Sequence, residues 1–153
     1  MKNLELKVPP DIALLATAVG MWAATRIVSS FSLPFAARVI TGSVLAVFGL
    51  SIVQAAGFSF RKVRTTVDPA RPDLTSTLVE TGIYLFTQNP IYLGMTIVLL
   101  GWAVFLLNLL SLALVAAFMA YITRFQIIPE ERALSAHFGK KYSFYCSRVR
   151  RWI

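Results

Sequence analysis

Two stretches of the sequence gather side chains that could do chemistry. The first is Leu78-Val79-Glu80-Thr81-Gly82-Ile83-Tyr84, running on to Gln88-Asn89-Pro90-Ile91-Tyr92-Leu93-Gly94. The second opens at Pro129-Glu130-Glu131-Arg132-Ala133-Leu134, passes through Phe138-Gly139, Tyr142 and Tyr145, and closes on Val149-Arg150-Arg151-Trp152-Ile153. Asn89 before Pro90 reads as a helix start, with Asn at the N-cap and Pro in the first turn. Such a start presents free backbone N–H groups and a partial positive charge to a carboxylate or a phosphate. Glu130 and Glu131 offer carboxylates to ribose hydroxyls or to an ammonium. Tyrosine faces such as those of Tyr84 and Tyr92 can accept a sulfonium cation. Anion site, carboxylate and aromatic face together match the groups of S-adenosylmethionine. A nucleotide or a lipid headgroup would use nearly the same set. Each motif also has a plain structural reading: two helix starts, interfacial aromatics, and Arg148, Arg150 and Arg151 on lipid headgroups.

The elements that must position these residues are apolar. The chain has 153 residues, of which 57% are hydrophobic and 14% charged, with a mean hydropathy of +0.68. Soluble domains carry about 25% charged residues, so the composition points to a polytopic membrane protein. Four spans are predicted, at residues 12–28, 35–58, 91–107 and 109–128, with Asn108 as the polar break of a tight helical hairpin. Gly42, Ser43, Gly49 and Ser51 suit close helix packing. The expected fold is all-α: about four transmembrane helices plus an amphipathic C-terminal helical segment, forming a single domain over residues 1–153. Segments 59–90 and 129–153 lie outside the spans.

Charge orients this map. Of the 15 Lys and Arg residues, 13 fall on one face and only Arg26 and Arg38 on the other, and all seven acids lie with the majority. That asymmetry predicts cytoplasmic N- and C-termini and a multi-pass protein of the cell inner membrane. The formal charge of +8 is therefore a matter of topology and anionic lipid, and no nucleic-acid partner is expected. Cys146 is the only cysteine and His137 the only histidine. One cysteine excludes an intrachain disulfide, and no metal-ligand cluster is visible, so no metal is expected. His137 reads as a surface or interfacial residue. A Gly-rich strand-to-helix turn is absent, which argues against a Rossmann cofactor site. The spans hold essentially no ionisable group, which argues against a proton- or cation-coupled carrier.

From about Phe60 onward the sequence resembles the membrane methyltransferases that include isoprenylcysteine carboxyl methyltransferase and phosphatidylethanolamine N-methyltransferase. The resemblance is carried by Thr65-Thr66-Val67 with Pro69, the two motif series above, and the closing Val149-Arg150-Arg151-Trp152-Ile153. It implies S-adenosyl-L-methionine as methyl donor, with S-adenosyl-L-homocysteine as product. It implies cofactor contacts at Ser76, Thr77, Leu78, Val79 and Tyr84, at Asn89, Pro90, Ile91 and Tyr92, and at Glu130 and Glu131. In the prenylcysteine branch an arginine just upstream of the acidic pair meets the substrate. Arg124 is the nearest candidate for that catalytic role, while Gln126 falls at the equivalent offset. That branch has Arg-His before the proline of the box, where this chain has Gln88-Asn89, so no histidine mechanism is expected. The implied reaction is direct in-line methyl transfer to a lipophilic substrate at the cytoplasmic membrane face: a lipid, a prenylated cysteine carboxylate or a small hydrophobic molecule. The alternative is a non-catalytic four-helix membrane scaffold or lipid-binding protein.

Overall fold

A computed structural model describes residues 5–28, 32–63 and 77–153, and these are helical, with no strand among them. Helix α1, Pro10–Ala24, begins where Pro10 presets φ and Asp11 sits on the positive end of the helix dipole. It is shorter than the span predicted over 12–28. The amides of Thr25, Arg26 and Ile27 turn back to carbonyls three residues behind, and the Thr25 hydroxyl takes the Trp22 carbonyl at 2.7 Å, which tightens and ends the helix. Helix α2, Phe35–Val63, runs 29 residues. Helix α3 is Pro90–Leu106 and helix α4 is Leu109–Ile122. The two-residue link between them uses Leu107 at φ 51°. Asn108 caps α4 by accepting from the Ser111 amide at 3.3 Å and ties down Val28 by donating to its carbonyl at 2.7 Å.

The fourth predicted span does not end as a simple helix at residue 128. After Ile122 the rod widens into a π-helical turn, Thr123–Ile127, and resumes as α5, Ile128–Phe138. Pro129 explains the change. It has no N–H to give the carbonyl of Phe125, four residues back, and the Leu6 amide takes that carbonyl instead at 3.0 Å. Buried Gln126 extends the same contact, donating to the Val8 carbonyl at 2.7 Å. Gly139 then breaks the rod at φ 53°, and α6, Lys140–Arg148, folds back as an amphipathic helix.

Two of these rods are long and apolar enough to cross a membrane, Phe35–Lys62 and Leu109–Phe138; α1 and α3 are apolar but shorter. Their outward faces carry large exposed apolar side chains, among them Leu15, Val19, Phe35, Ile40, Val47, Phe48 and Leu109. A continuous apolar exterior of this kind suits lipid better than water. Inside, Met21, Leu99, Ala103, Leu106, Val115, Phe118 and Ile122 join α1, α3 and α4 in one core that also takes in Tyr92. Helices α2 and α3 cross with almost no separation. A Cβ on Gly49 would stand 2.6 Å from the Gly94 carbonyl, and one on Gly94 would stand 2.6 Å from the Gly49 carbonyl. Only glycine permits that approach.

Helix α1 and helix α2 both pack on α3 and leave between them an apolar groove of ≈ 400 Å³, walled by residues such as Leu14, Ala18, Ala46, Val98 and Trp102. The two ends of the bundle differ. At one, Arg38 donates to the Phe105 carbonyl at 2.7 Å. At the other stand Glu5, Glu80, Glu130 and Glu131 with the arginines and lysine that pair with three of them.

Candidate functional site

The acidic end is built around the start of α3. Asn89 occupies the N-cap position that the sequence predicts, but its side chain does not cap the helix. Its Nδ2 donates instead to the Arg151 carbonyl at 2.9 Å, and its backbone amide is taken by Thr87 Oγ1 at 3.1 Å. The Gln88 amide donates to the Arg150 carbonyl at 3.0 Å, and its side chain donates to the Val149 carbonyl. The tripeptide Thr87-Gln88-Asn89 thus straps the C-terminal segment across the mouth of α3. The first intrahelical bond of α3 is Leu93 N–H to the Asn89 carbonyl. Pro90 has no N–H, so the Ile91 and Tyr92 amides have no acceptor within the helix.

Tyr92, two residues into α3, donates its phenol hydrogen to Oε1 of Glu130 at the start of α5. These two predicted site residues lie 38 positions apart in the chain and meet in the fold. Glu130 stands beyond the apolar run that closes at Ile128. Burial pushes its carboxyl up to about 7 from the ordinary 4.5, the Tyr92 hydrogen bond opposing that rise and the neighbouring Glu131 charge adding to it. Glu131 points elsewhere, accepting both Arg151 Nε at 2.7 Å and Arg151 Nη2 at 2.9 Å. Its partner belongs to the segment that Gln88 and Asn89 hold.

The segment before α3 packs between α2 and α6. Leu78 is buried with Tyr142, Tyr145 and Val149, and Val79 with Ala56 and Tyr84. Gly82, at φ 66°, makes the turn that leads to Tyr84, and a Cβ there would meet Ser59 Oγ at 2.8 Å. The Tyr84 carbonyl accepts from the Tyr145 phenol at 2.8 Å, while Glu80 binds Arg148 at 3.1 Å and Lys141 at 3.5 Å. Burial raises the Tyr84, Tyr142 and Tyr145 phenols above their ordinary values. All three stay neutral at any ordinary pH and offer apolar faces. Thr77 is exposed, and Ser76 lies outside the described residues.

Arg124 stands apart from the Tyr92–Glu130 pair. It pairs with Glu5 at 2.9 Å and lies over the Phe125 ring; Arg132 binds the other Glu5 oxygen. Those two arginines hold the Glu5 carboxyl below its ordinary value, the Arg124 hydrogen bond first. Thr87, Arg151, Trp152 and Glu5 complete this end of the molecule and do not stand out in the sequence. Arg151 is one of several basic residues near the terminus, and Thr87 is a lone threonine whose partner is a carbonyl. Gln126 carried a usable signal, as a polar residue inside an apolar run.

The sequence profile of the phospholipid methyltransferase family matches residues 37–141, from the first turn of α2 into the first turn of α6. Over 62 residues the chain is 40% identical to an uncharacterized protein of Haemophilus influenzae, covering 40% of this chain and 98% of that protein. No solved structure matches the chain.

Proposed function

The chain belongs to the phospholipid methyltransferase family, within the membrane methyltransferases that also include the isoprenylcysteine type, and from that premise we propose that it methylates a lipophilic acceptor using S-adenosyl-L-methionine. The reading is carried by one observation. Tyr92 and Glu130, drawn from two motifs far apart in sequence, are hydrogen-bonded at the start of α3. A half-buried carboxylate, two helix amides without intrahelical acceptors and buried tyrosines fit a donor with a carboxylate, an ammonium, a sulfonium and a ribose. Bound there, S-adenosylmethionine supplies an electrophilic methyl group, and S-adenosylhomocysteine is what remains.

The chain's own residues bind and align. Thr77, Leu78, Val79 and Tyr84 form one wall of this site. Asn89, Pro90, Ile91 and Tyr92 form its floor, and Glu130 and Glu131 its acidic side. Arg124 is assigned to the acceptor. The groove between α1 and α2 receives the acceptor's hydrocarbon part. It begins near Val98, six residues from Tyr92 and so about 9 Å along α3. Holding both reactants in line and excluding water is the main source of rate in such a transfer. In this reading the chain crosses the bilayer four times, with both termini and the site on the cytoplasmic side of the inner membrane. The split of basic residues supports that orientation.

Calorimetric titration of the detergent-purified protein with S-adenosylmethionine and S-adenosylhomocysteine tests the proposal. Saturable binding is expected, lost in Glu130→Gln and weakened in Tyr92→Phe. Unchanged affinity in both variants would remove the site assignment. No binding by folded protein would return the chain to the alternative, a non-catalytic membrane scaffold or lipid-binding protein.

A further inference from the structure

Arg38 is a charge in an apolar place. It stands in the first turn of α2, beside the exposed side chains of Phe35 and Val39. A guanidinium within a span is costly unless its donors meet acceptors. Of its five N–H donors, two go to the carbonyl of Phe105, in the last turn of α3. A cation there also offsets the negative end of the helix dipole. That contact explains Arg38 as a cap but uses less than half of what it can donate. Among the described residues no carboxylate pairs with it. The same holds for Arg26, the other cation of this end, which lies over the Trp22 ring.

The groove between α1 and α2 opens beside this cation. Its walls take in Val39, the next residue of α2, and Phe105, whose ring centre lies 5.2 Å from the Arg38 guanidinium. Along α3 the groove runs from Val98 to Phe105, about 10 Å, in the half of that helix away from Tyr92. Trp102 fixes its floor, stacking on Phe105 at 5.3 Å and donating its indole N–H to the Ala18 carbonyl at 3.1 Å. We propose that the far end of this groove is a binding site for an anionic phospholipid, with the lipid phosphate on Arg38 and an acyl chain between α1 and α2. A guanidinium offers phosphate parallel N–H donors, and the apolar walls suit a hydrocarbon chain. A free phosphate would meet Arg38 alone and a neutral lipid the groove alone; an anionic lipid uses both. Such a lipid is not the methyl acceptor, because its headgroup lies at the opposite end of the bundle from Tyr92 and Glu130. It enters the groove from the end opposite the acceptor, and the two occupy it by turns. The inference stands independently of the methyltransferase reading, and its test contains no methyl donor.

Trp102 serves as the reporter. Combining Trp22→Phe with Trp152→Phe leaves it as the one tryptophan of the full chain, so quenching reports on the groove and not on the basic end. The detergent-purified protein is titrated with phosphatidylglycerol carrying brominated acyl chains, and separately with equally brominated phosphatidylcholine. Saturable quenching by phosphatidylglycerol is expected at a mole fraction about tenfold lower than phosphatidylcholine requires. Arg38→Gln should remove that preference, and Arg26→Gln should leave it. Ser43→Phe, which fills the groove from α2 and keeps Arg38, should abolish the saturable quenching. That variant, with the comparison of the two lipids where Arg38 is intact, keeps the test open if Arg38→Gln does not fold. Excess glycerol phosphate, a headgroup without a chain, should not reverse the quenching. Equal quenching by both lipids overturns the site, as does a preference that survives Arg38→Gln or is lost equally in Arg26→Gln. Quenching that persists in Ser43→Phe, or that glycerol phosphate reverses, overturns the lipid as occupant.

Discussion

At the scale of single residues, the site depends on how differently two neighbouring glutamates are treated. Glu130 binds its proton more tightly in the folded protein than the ordinary value of 4.5 would allow, with its carboxyl near 7. Its contribution to stability is therefore complete below about 4.5 and is lost as pH rises through about 7. Thermal unfolding in detergent should find the protein roughly 3 kcal/mol less stable at pH 8 than at pH 4 on this group's account, and Glu130→Gln should flatten that slope. Glu5 works in the opposite sense and lower in pH: Arg124 and Arg132 depress its carboxyl, so what it adds is lost on acidification. The members of the Tyr92–Glu130 pair were individually legible in sequence, because each belongs to a recognisable motif. Their contact was not, since 38 residues of chain separate them without periodicity. The work of Gln88 and Asn89 was hidden for a different reason. Their partners are the backbone carbonyls of Val149, Arg150 and Arg151, and a carbonyl looks the same under every side chain.

At the scale of elements, the helices announce themselves through long apolar runs, while their junctions do not. The early end of α1 depends on local turns, and the π turn at Thr123–Ile127 depends on what Pro129 cannot donate and on the distant Leu6 amide that compensates. That turn sets the phase of everything after it. Inserting one residue into regular α4 just before this turn should rotate α5 by about 100° relative to the start of α4 and carry Glu130 away from Tyr92. Cofactor binding should then disappear while helical circular dichroism is retained. The crossing of α2 and α3 makes a separate prediction. Gly94→Ala places a methyl group against the Gly49 carbonyl and should cost about 1–3 kcal/mol through overpacking. Gly57→Ala, on the same α2 but with no atom within 4 Å of the new Cβ, should be neutral or stabilising by up to about 1 kcal/mol. Comparing the two by denaturation separates tight packing from a general intolerance of change along α2. Gly42 and Gly49 were recognisable as packing residues from their type, but the glycine each would meet was not.

At the scale of the whole molecule, the sorting of charge is the feature the sequence states most directly. Arg38 anchors one end of the bundle, and the acids with their partner arginines gather at the other. Both terminal segments fasten to consecutive residues of α5, the C-terminal one through Glu131 and the N-terminal one through Arg132. The acidic end is thereby drawn together from both directions. The helices that connect the two ends are far from equal. At 1.5 Å per residue, the 15 residues of α1 reach about 22 Å and the 17 of α3 about 26 Å, against about 43 Å for the 29 of α2. A bilayer's hydrocarbon core is about 30 Å thick. In the four-span arrangement, lipid beside α1 and α3 must thin while α2 leans over to stay covered. The protein is then a gauge of the sheet that holds it: reconstituted into phosphatidylcholines of increasing acyl length, it should be most stable and most active in the shorter-chained members and lose both as the chains lengthen.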